Sequence, residues 1–366
     1  MSIASDSPLT PLRVLVLGAS YGSLFTTKLS MAGHHSKLVC LPAEEQLINA
    51  EGTVIRLPVR GVSEPVVLKS AELPGNVSAC SAKEAKPDDY DLVVLAMQEP
   101  QYSVPEVRDL LSRIARSRVP CMSIMNMPPL PFLARLPSVD ISLLEAAYTD
   151  PRVWDDFDPS LITLASPDPQ AFRPPDEPAN VLQVGLPTNF KVARFEADEH
   201  TALLQSLQRD IQNIRYTING ELFEIPVKLK VHESVFVPLA KWLMLITGNY
   251  RCILEKEVRP IFNAVHDDPT LSHDVYHAVA DLCLSYGATA ADFVPYEKYA
   301  NAAKNLQKPS SAARALLAGA KNIERVDKIV QILAAQSQKN HPEFDAIVNR
   351  VDSWLQHNRQ PAAEAL

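Results

Sequence analysis

Long apolar runs and an excess of basic residues are both missing from this 366-residue sequence. No uninterrupted apolar stretch reaches the roughly 18 residues that a bilayer-spanning helix needs. The N-terminal segment lacks the basic and apolar regions of a signal peptide. The net charge of -8 argues against a general nucleic-acid-binding surface, which needs many Lys and Arg residues. We therefore expect a cytoplasmic protein with neither a membrane nor a nucleic acid as partner.

Cysteine is scarce, and its spacing excludes the usual cysteine-based sites. The five residues show no CxxC pair, which argues against a zinc site and a disulfide framework. They are Cys40, Cys80, Cys121, Cys252 and Cys283. His273 and His277 have the i,i+4 spacing of two metal ligands, but no carboxylate pattern completes a site. We predict reduced thiols and no bound metal.

The pattern that is present is one of strands alternating with helices. An apolar run at Leu12–Leu17 leads into glycines at 18 and 22, then helical spacing over Ser23–Met31 and a second apolar run at Lys37–Leu41. This unit opens a doubly wound sheet. The pattern recurs in further predicted strands at Val54–Leu57, Val66–Leu68, Asp91–Met97 and Pro120–Met125.

The second half of the chain has a different pattern. Asp150–Pro187 holds eight of the 30 prolines, which predicts edge strands and loops. From Glu196 onward helical spacing dominates, including a long apolar stretch at Val231–Thr247. The sequence therefore predicts an α/β fold, with an N-terminal Rossmann-type doubly wound sheet over residues 1–194. A mainly α-helical substrate and dimerisation domain is predicted over residues 195–366.

The first glycine turn is the candidate cofactor-binding element. Backbone amides at such a turn bind phosphate at the positive end of a helix. The residues concerned are Gly18, Ala19, Ser20, Tyr21 and Gly22. This turn is one residue shorter than G-x-G-x-x-G, and Tyr21 is bulky. Two interpretations stay open: a dinucleotide site, or a Rossmann turn that has lost its ligand.

The end of the second strand usually indicates which nicotinamide cofactor is bound. An acidic residue there favours NAD, and an arginine favours NADP. The sequence has Cys40 and Leu41 at this point, so neither device stands at the strand end. Glu44 follows, and we expect it to begin the next helix, where an acidic residue suits the helix dipole.

Several segments together resemble the ketopantoate reductases (2-dehydropantoate 2-reductases), within the superfamily that shares the C-terminal domain of 6-phosphogluconate dehydrogenase. The most specific match runs from Gly22-Ser-Leu-Phe through Lys28-Leu to Ala-Gly33-His34. Shorter matches follow in the family's order. They are Asp91-Leu-Val-Val-Leu-Ala, Ser123-x-x-Asn126, Leu245-Ile-Thr-Gly248, and Pro309-Ser310-Ser311 ahead of Glu324 and Asp327.

The resemblance implies an NADPH-dependent enzyme that reduces the ketone of a 2-keto acid. It implies a Rossmann domain for the cofactor, a helical domain for the acid, and a homodimer. A lysine on the first long helix of the second domain would donate the proton, near asparagines, a serine and a glutamate. Hydride delivery creates an oxyanion, which needs an acid or a cation within hydrogen-bond reach.

Matched residue by residue, this sequence departs from the family at the main functional positions. We align Thr247-Gly248 with the matching pair of the family. Glu233 then stands at the position of the family's catalytic lysine, and Val237 and Lys241 stand at the positions of its two asparagines. Leu41 stands about where the NADP-selecting arginine belongs, and Gln98 stands near a cofactor-contacting lysine. The resemblance retains Asn126, one of Ser310 and Ser311, and one of Glu324 and Asp327.

Lys241 is the main catalytic candidate. At helical spacing, Glu233 and Lys241 would lie about two turns apart on one helix face. We interpret Lys241 as a proton donor or carboxylate anchor, or else as a structural ion pair or a lysine whose head reaches water. His232 is expected on the surface at the start of that helix.

The remaining candidates each have a structural alternative. Asn126 would contact the nicotinamide and the substrate, or stabilise the turn before Pro128. Ser310 and Ser311 would bind a substrate carboxylate, and at least one would cap a helix. Glu324 would bind substrate, or lie with Asp327 on a solvated helix face. That face would carry the i,i+4 pairs Lys321–Arg325 and Glu324–Lys328.

The sequence thus predicts an NAD(P)H-dependent reductase of a small-molecule 2-keto acid or related carbonyl, with an altered active site. NADP is the cofactor that the resemblance favours. Two alternatives remain. One is a catalytically silent Rossmann-fold binding protein or scaffold, and the other is an enzyme like the opine dehydrogenases.

Overall fold

The structure, a computed structural model, describes residues 3–4 and 10–360. Its contacts divide the chain into two compact units. The first unit contains the residues up to Met97, Gln101–Phe132 and Arg152–Pro238. The second contains Gln98–Pro100, Leu133–Pro151 and the residues from Leu239 onward.

All of the named strands lie in the first unit. In chain order they are β1 (Ile3–Ala4), β2 (Arg13–Leu17), β3 (His35–Val39), β4 (Val54–Leu57), β5 (Val66–Lys69), β6 (Val77–Cys80), β7 (Leu92–Leu95), β8 (Cys121–Ile124), β9 (Ile162–Ser166), β10 (Gln170–Phe172), β11 (Val181–Leu186), β12 (Phe190–Ala193), β13 (Arg215–Ile218), β14 (Glu221–Glu224) and β15 (Leu229–His232).

The helices are distributed over both units, and most lie in the second. In chain order they are α1 (Tyr21–Met31), α2 (Pro42–Glu51), α3 (Pro105–Ser117), α4 (Leu130–Leu133), α5 (Ile141–Leu144), α6 (Asp198–Asn213), α7 (Lys241–Met244), α8 (Ile261–His266), α9 (Pro269–Ser285), α10 (Tyr296–Ala303), α11 (Ser311–Leu317), α12 (Val326–Gln336) and α13 (Pro342–Arg359). No described helix is both long enough and apolar enough to cross a membrane.

The main sheet has eight strands in the order β15-β12-β9-β8-β7-β2-β3-β6. From β6 to β9 the neighbours are all parallel, and β12 runs antiparallel to β9. Read along the chain, β2, β3, β6, β7, β8 and β9 occupy the spatial order 3-2-1-4-5-6 of the Rossmann fold. The predicted fold class is confirmed, with a doubly wound sheet and a mainly helical C-terminal region.

The strands at the centre of this sheet are buried because both faces are covered. Leu92–Leu95 of β7 is fully buried along its length, as a nearly continuous apolar run predicts for such a strand. In register, Leu15 of β2 pairs with Lys37 of β3 on one side and Val93 of β7 on the other. Helix α1 packs on β3 and against α6. The core thus surrounds the strand that leads into the first glycine turn.

The proline-rich segment contains more sheet than predicted. Ile162–Ser166 forms β9, which lies inside the main sheet between β8 and β12 and is buried throughout. The prediction of edge strands and loops is wrong here, because Pro159 and Pro167 flank this strand without interrupting it. Strands β10 and β11 join β4 and β5 in a separate four-stranded sheet.

The start of the predicted helical region also belongs to the first unit. An Asn219-Gly220 turn joins β13 and β14, which form a hairpin paired with β1. Strand β15 pairs with β12, and α6 packs on β15. The contacts therefore extend the first unit to Pro238, whereas the sequence division falls between residues 194 and 195. As functional domains, the ranges 1–194 and 195–366 stay a prediction, and their terminal residues lie outside the described ones.

The second unit is built from packed helices. Helix α12 packs on α13 and α5, and α7 packs on α9. Leu245–Asn249 forms a π-helical segment directly after α7. The continuous helix predicted over Val231–Thr247 is wrong, because its first residues form β15 and turns precede Lys241.

Candidate functional site

The first glycine turn lies where the strand order of the main sheet reverses, between β2 and β7. Gly18 has a φ of 101°, and a Cβ there would approach the Ala96 carbonyl oxygen to 2.8 Å. Its amide donates to the Val39 carbonyl at 2.9 Å. Both the backbone conformation and the close approach to the end of β7 therefore require glycine. Ligands bind at this crevice in open α/β sheets.

The second glycine brings helix and sheet together. Gly22 lies in the first turn of α1, and a Cβ there would come within 2.9 Å of Val16 Cγ1. It would also approach Leu38 Cδ2 to 3.2 Å. This is the role of the last glycine in the dinucleotide-binding turn. The shorter turn thus retains both of its sterically required positions.

The residues between the glycines present amides at the start of α1. Helix α1 begins at Tyr21, with Ser20 at the N-cap position. Within the described residues, neither the Ala19 nor the Ser20 amide donates to a protein acceptor. Tyr21 is half-buried and packs against the core of the first unit. Amides at the positive end of an 11-residue helix suit a phosphate group. The chain's residues here fit a dinucleotide.

An arginine that the sequence analysis missed lies at the same turn. Arg173 Nη2 donates to the Ala19 carbonyl at 2.8 Å, and Nη1 pairs with the Glu44 carboxylate. As expected, Glu44 lies in the first turn of α2, where it accepts from the Leu41 amide at 3.2 Å. Arg173 and Glu44 are 129 residues apart in sequence, so no local signal connects them.

Asn126 follows β8, at the same edge of the sheet. It is half-buried in a bend directly after Cys121–Ile124. Because β8 is parallel to β7, the residues that follow both strands lie at the carboxyl edge where the Gly18 turn lies. Its nicotinamide and substrate roles stay predictions.

The predicted pairing of Glu233 and Lys241 on one helix face is wrong. Glu233 follows β15 in the first unit, is 73% exposed, and lies 3.2 Å from Arg194 Nη1. Lys241 is the half-buried first residue of α7 in the second unit. His232 ends β15 rather than starting a helix, so its expected place was also wrong. The catalytic roles of Lys241 and Glu233 stay predictions.

The serine pair lies at the start of α11. Ser310 is buried and caps the helix, because its Oγ accepts from the Ala313 amide at 3.2 Å. The same hydroxyl donates to the Asn249 carbonyl at 2.7 Å. Ser311 is exposed. Substrate binding by Ser310 or Ser311 stays a prediction.

The solvated helix face predicted around Glu324 is not formed. Residues 321–325 precede α12, so Lys321–Arg325 and Glu324–Lys328 are not helical pairs. Asp327 is 2% exposed and lies 2.9 Å from Arg325 Nη2. The Arg325 guanidinium also contacts Asp352 at 2.6 Å. Glu324 itself is half-buried, and its substrate role stays a prediction.

A buried acidic cluster in the second unit was missed from the sequence. Glu99, next to the predicted cofactor-binding residue Gln98, is 2% exposed and accepts from the Thr149 amide and hydroxyl, each at 2.8 Å. Burial raises the pKa of Glu99. Burial also raises the pKa of Tyr148, with the charges of Glu99 and Glu324 adding to the effect. Such groups hold a proton more firmly than in water.

The described residues contain no group of three or more His, Cys, Asp and Glu side chains placed to hold a metal ion. The His273 and His277 rings stand 4.2 Å apart, and each also lies near Tyr296. All five cysteines are free thiols. The two histidines thus lie in a ring cluster with Tyr296.

Solved structures of other proteins have the same architecture as this chain. The 2-dehydropantoate 2-reductase of Methylococcus capsulatus superposes with a TM-score of 0.62 at 12% identity, covering 96% of this chain and 99% of that one. The PanE/ApbA-family ketopantoate reductase of Ralstonia eutropha JMP134 gives 0.60 at 14% identity, covering 95% and 100%. The fold is that of the ketopantoate reductases.

A third solved structure with this fold is described as dimeric. The dimeric ketopantoate reductase of Staphylococcus aureus superposes with a TM-score of 0.58 at 10% identity, covering 95% of this chain and 100% of that one. No protein-family model matches the sequence, and no curated protein matches it. The likeness therefore lies in the fold, at sequence identities of 10–14%.

Proposed function

We propose that this protein is a nicotinamide-dependent reductase of a 2-keto acid or a related small carbonyl compound. One observation carries the proposal: a glycine turn at the strand-order reversal, with Gly18 and Gly22 both sterically required. In such a fold the turn binds the diphosphate of a dinucleotide. NADPH is the cofactor that the family resemblance implies, and a homodimer is implied in the same way.

The chemistry is a carbonyl reduction. When bound, a reduced nicotinamide supplies a hydride to the carbonyl carbon, the C=O π bond breaks, and the oxygen becomes an alkoxide that takes a proton. In the proposal, the amides of Ala19 and Ser20 bind the diphosphate and Asn126 orients the carbonyl. The ammonium of Lys241 stabilises and protonates the alkoxide. Ser311 and Glu324 contact the rest of the substrate.

A charge placed in the turn tests the cofactor site. Ser20→Asp keeps a good N-cap residue, so α1 is preserved, but it adds a negative charge beside the diphosphate. We expect NADH and NADPH to bind at least about tenfold more weakly than to the natural chain, a cost of about 1.4 kcal/mol. Titration calorimetry on the full chain measures both dissociation constants.

Ser20→Asn is the matched control, because it has the same size and capping ability without the charge. Its affinity should stay close to that of the natural chain. Equal affinities for the Asp and Asn variants, or no binding of either nucleotide by the natural chain, would contradict the proposed site.

A further inference from the structure

The Arg173–Glu44 pair places a carboxylate beside the glycine turn. The Arg173 guanidinium contacts both the Glu44 carboxylate and the Ala19 carbonyl oxygen. These two acceptors are therefore close enough for a single guanidinium group to bridge them. The strand end itself has only Cys40 and Leu41. Glu44 thus brings an acidic group to the region between the strand end and the turn. That region is where a Rossmann fold binds the ribose of the adenosine half.

Glu44 is held in one position by groups on two sides. One carboxylate oxygen pairs with Arg173, and the other accepts from the Leu41 amide at 3.2 Å. The side chain is 14% exposed. A carboxylate fixed in this way retains lone pairs that accept from ribose hydroxyls.

The loop that delivers Arg173 is itself anchored. Between β10 and β11, Glu177 forms a two-bond ion pair with Arg56 of β4. The Asn180 side chain donates to the Gly52 carbonyl at 2.8 Å. Prolines at 174, 175 and 178 restrict the backbone between these anchors. Arg173 therefore reaches the turn from a preorganised loop.

Two exposed apolar side chains flank the pair in sequence. Leu41 precedes α2 and is 70% exposed, and Phe172 precedes Arg173 and is 55% exposed. An apolar ring such as adenine would cover such surfaces. Together with the acidic and basic groups, they suit an adenosine rather than a free phosphate.

The charges around this ribose position disfavour a further phosphate. A 2′-phosphate carries about two negative charges. It would meet Glu44, with Glu45 next along α2, and the nearby guanidinium is already paired with Glu44. Binding the phosphate would require Arg173 to leave Glu44, which would leave two anions side by side. A ribose with free hydroxyls needs no such rearrangement.

We propose that Glu44, oriented by Arg173, makes this chain select NADH over NADPH. The inference rests on the proposed function, since it names the cofactor for the same site. It departs from the NADPH dependence that the family resemblance implies. Arg173 acts as a positioning residue for Glu44 and as a cation beside the turn.

Dissociation constants of NADH and NADPH, measured on the full chain at fixed ionic strength, test the selection. We expect NADH to bind at least about tenfold more tightly than NADPH. Glu44→Gln should reduce this ratio severalfold, mainly by tighter NADPH binding. Glu51→Gln, the matched control, removes the same charge from the far end of α2 and should leave the ratio within about twofold.

The Arg173→Met variant shows whether Arg173 orients Glu44 or blocks the nucleotide site. If Arg173 orients Glu44, the variant binds NADH more weakly, whereas if its guanidinium fills the site, both nucleotides bind more tightly and the inference fails. Circular dichroism and thermal unfolding verify that each variant folds.

The remaining outcomes are distinct. If the natural chain binds NADPH as tightly as NADH or more tightly, the proposed selection is wrong, but the proposed function still holds. Binding of neither nucleotide overturns both. If Glu44→Gln leaves the ratio of the NADH and NADPH dissociation constants unchanged, Glu44 does not determine the selection and the inference fails.

Discussion

Lys28 is a buried lysine inside the helix that follows the glycine turn. It is 1% exposed, and its Nζ donates to the Pro226 carbonyl at 3.0 Å. Burial, together with the nearby charge of Lys228, lowers its pKa from 10.5 to about 7, and Glu224 partly opposes this shift. At neutral pH the charged and neutral forms of this amine are therefore both populated in the folded chain.

This shift makes folding stability depend on pH. Between pH 7 and 10.5 the unfolded chain binds more protons at this amine than the folded chain, so the free energy of unfolding rises with pH. The contribution is on the order of 5 kcal/mol above pH 10.5 and is lost as the pH falls to about 7. Lys28→Met should flatten this rise.

Urea unfolding at several values between pH 7 and 9.5 measures the effect of Lys28→Met. Lys69→Met is the control, because Lys69 is 54% exposed on β5 and should leave the natural pH dependence intact. If Lys28→Met and the natural chain show the same pH dependence, the amine titrates normally in the fold.

At the scale of single residues, site residues that a local sequence pattern marks could be predicted, whereas residues whose partners are distant in sequence could not. Gly18 and Gly22 stand out because a buried strand precedes them and a helix follows. Arg173 does not, since its partners Ala19 and Glu44 are reached only through the fold. Helical spacing predicts a solvated Asp327 because it cannot show that this side chain is buried against Arg325, which also contacts Asp352.

The β13–β14 hairpin is an element whose signal was in the sequence. Asn219 and Gly220 have φ values of 51° and 87°, as in a two-residue hairpin turn. Flanking residues Tyr216 and Phe223 face each other across the strands. Helical spacing in α6, just before the hairpin, nevertheless favours a helical prediction for the whole region.

Gly220→Ala tests how far this turn depends on glycine. Because alanine pays to adopt a positive φ, we expect the free energy of unfolding to fall by about 1 kcal/mol. Among the described residues, no atom beyond the adjoining ones lies within 4 Å of the added Cβ, so the cost is one of backbone strain. Chemical denaturation monitored by circular dichroism measures it.

Gly185→Ala supplies the comparison. Gly185 lies in the extended strand β11, and its added Cβ would lie 3.8 Å from the Gln170 carbonyl oxygen, an ordinary van der Waals contact. That variant should be as stable as the natural chain or slightly more stable. A similar loss at both positions would mean that the added methyl group, not the turn conformation, is responsible.

At the scale of the whole molecule, the fold class was predictable because its signals repeat. Each parallel strand is a short apolar run at a spacing that admits a crossover helix, and the strand order then follows from Rossmann topology. The extent of the first unit was not predictable, because β15 and α6 join it through pairing and packing distant in sequence.

Turnover is the property of the whole molecule that separates a reductase from a silent binding protein with the same fold. Loss of NADH or NADPH absorbance with a panel of 2-keto acids measures it. We expect Lys241→Ala to lower kcat by about 100-fold or more while nucleotide affinity stays unchanged, because an ammonium stabilises the alkoxide only during reaction. Lys256→Ala, at an exposed lysine of the same unit, should retain full activity.

Nucleotide binding without turnover of any carbonyl substrate would favour the silent binding protein. Equal kcat values for the two variants would instead exclude Lys241 as the acid and direct attention to Tyr148 and Glu99, whose pKa values burial raises.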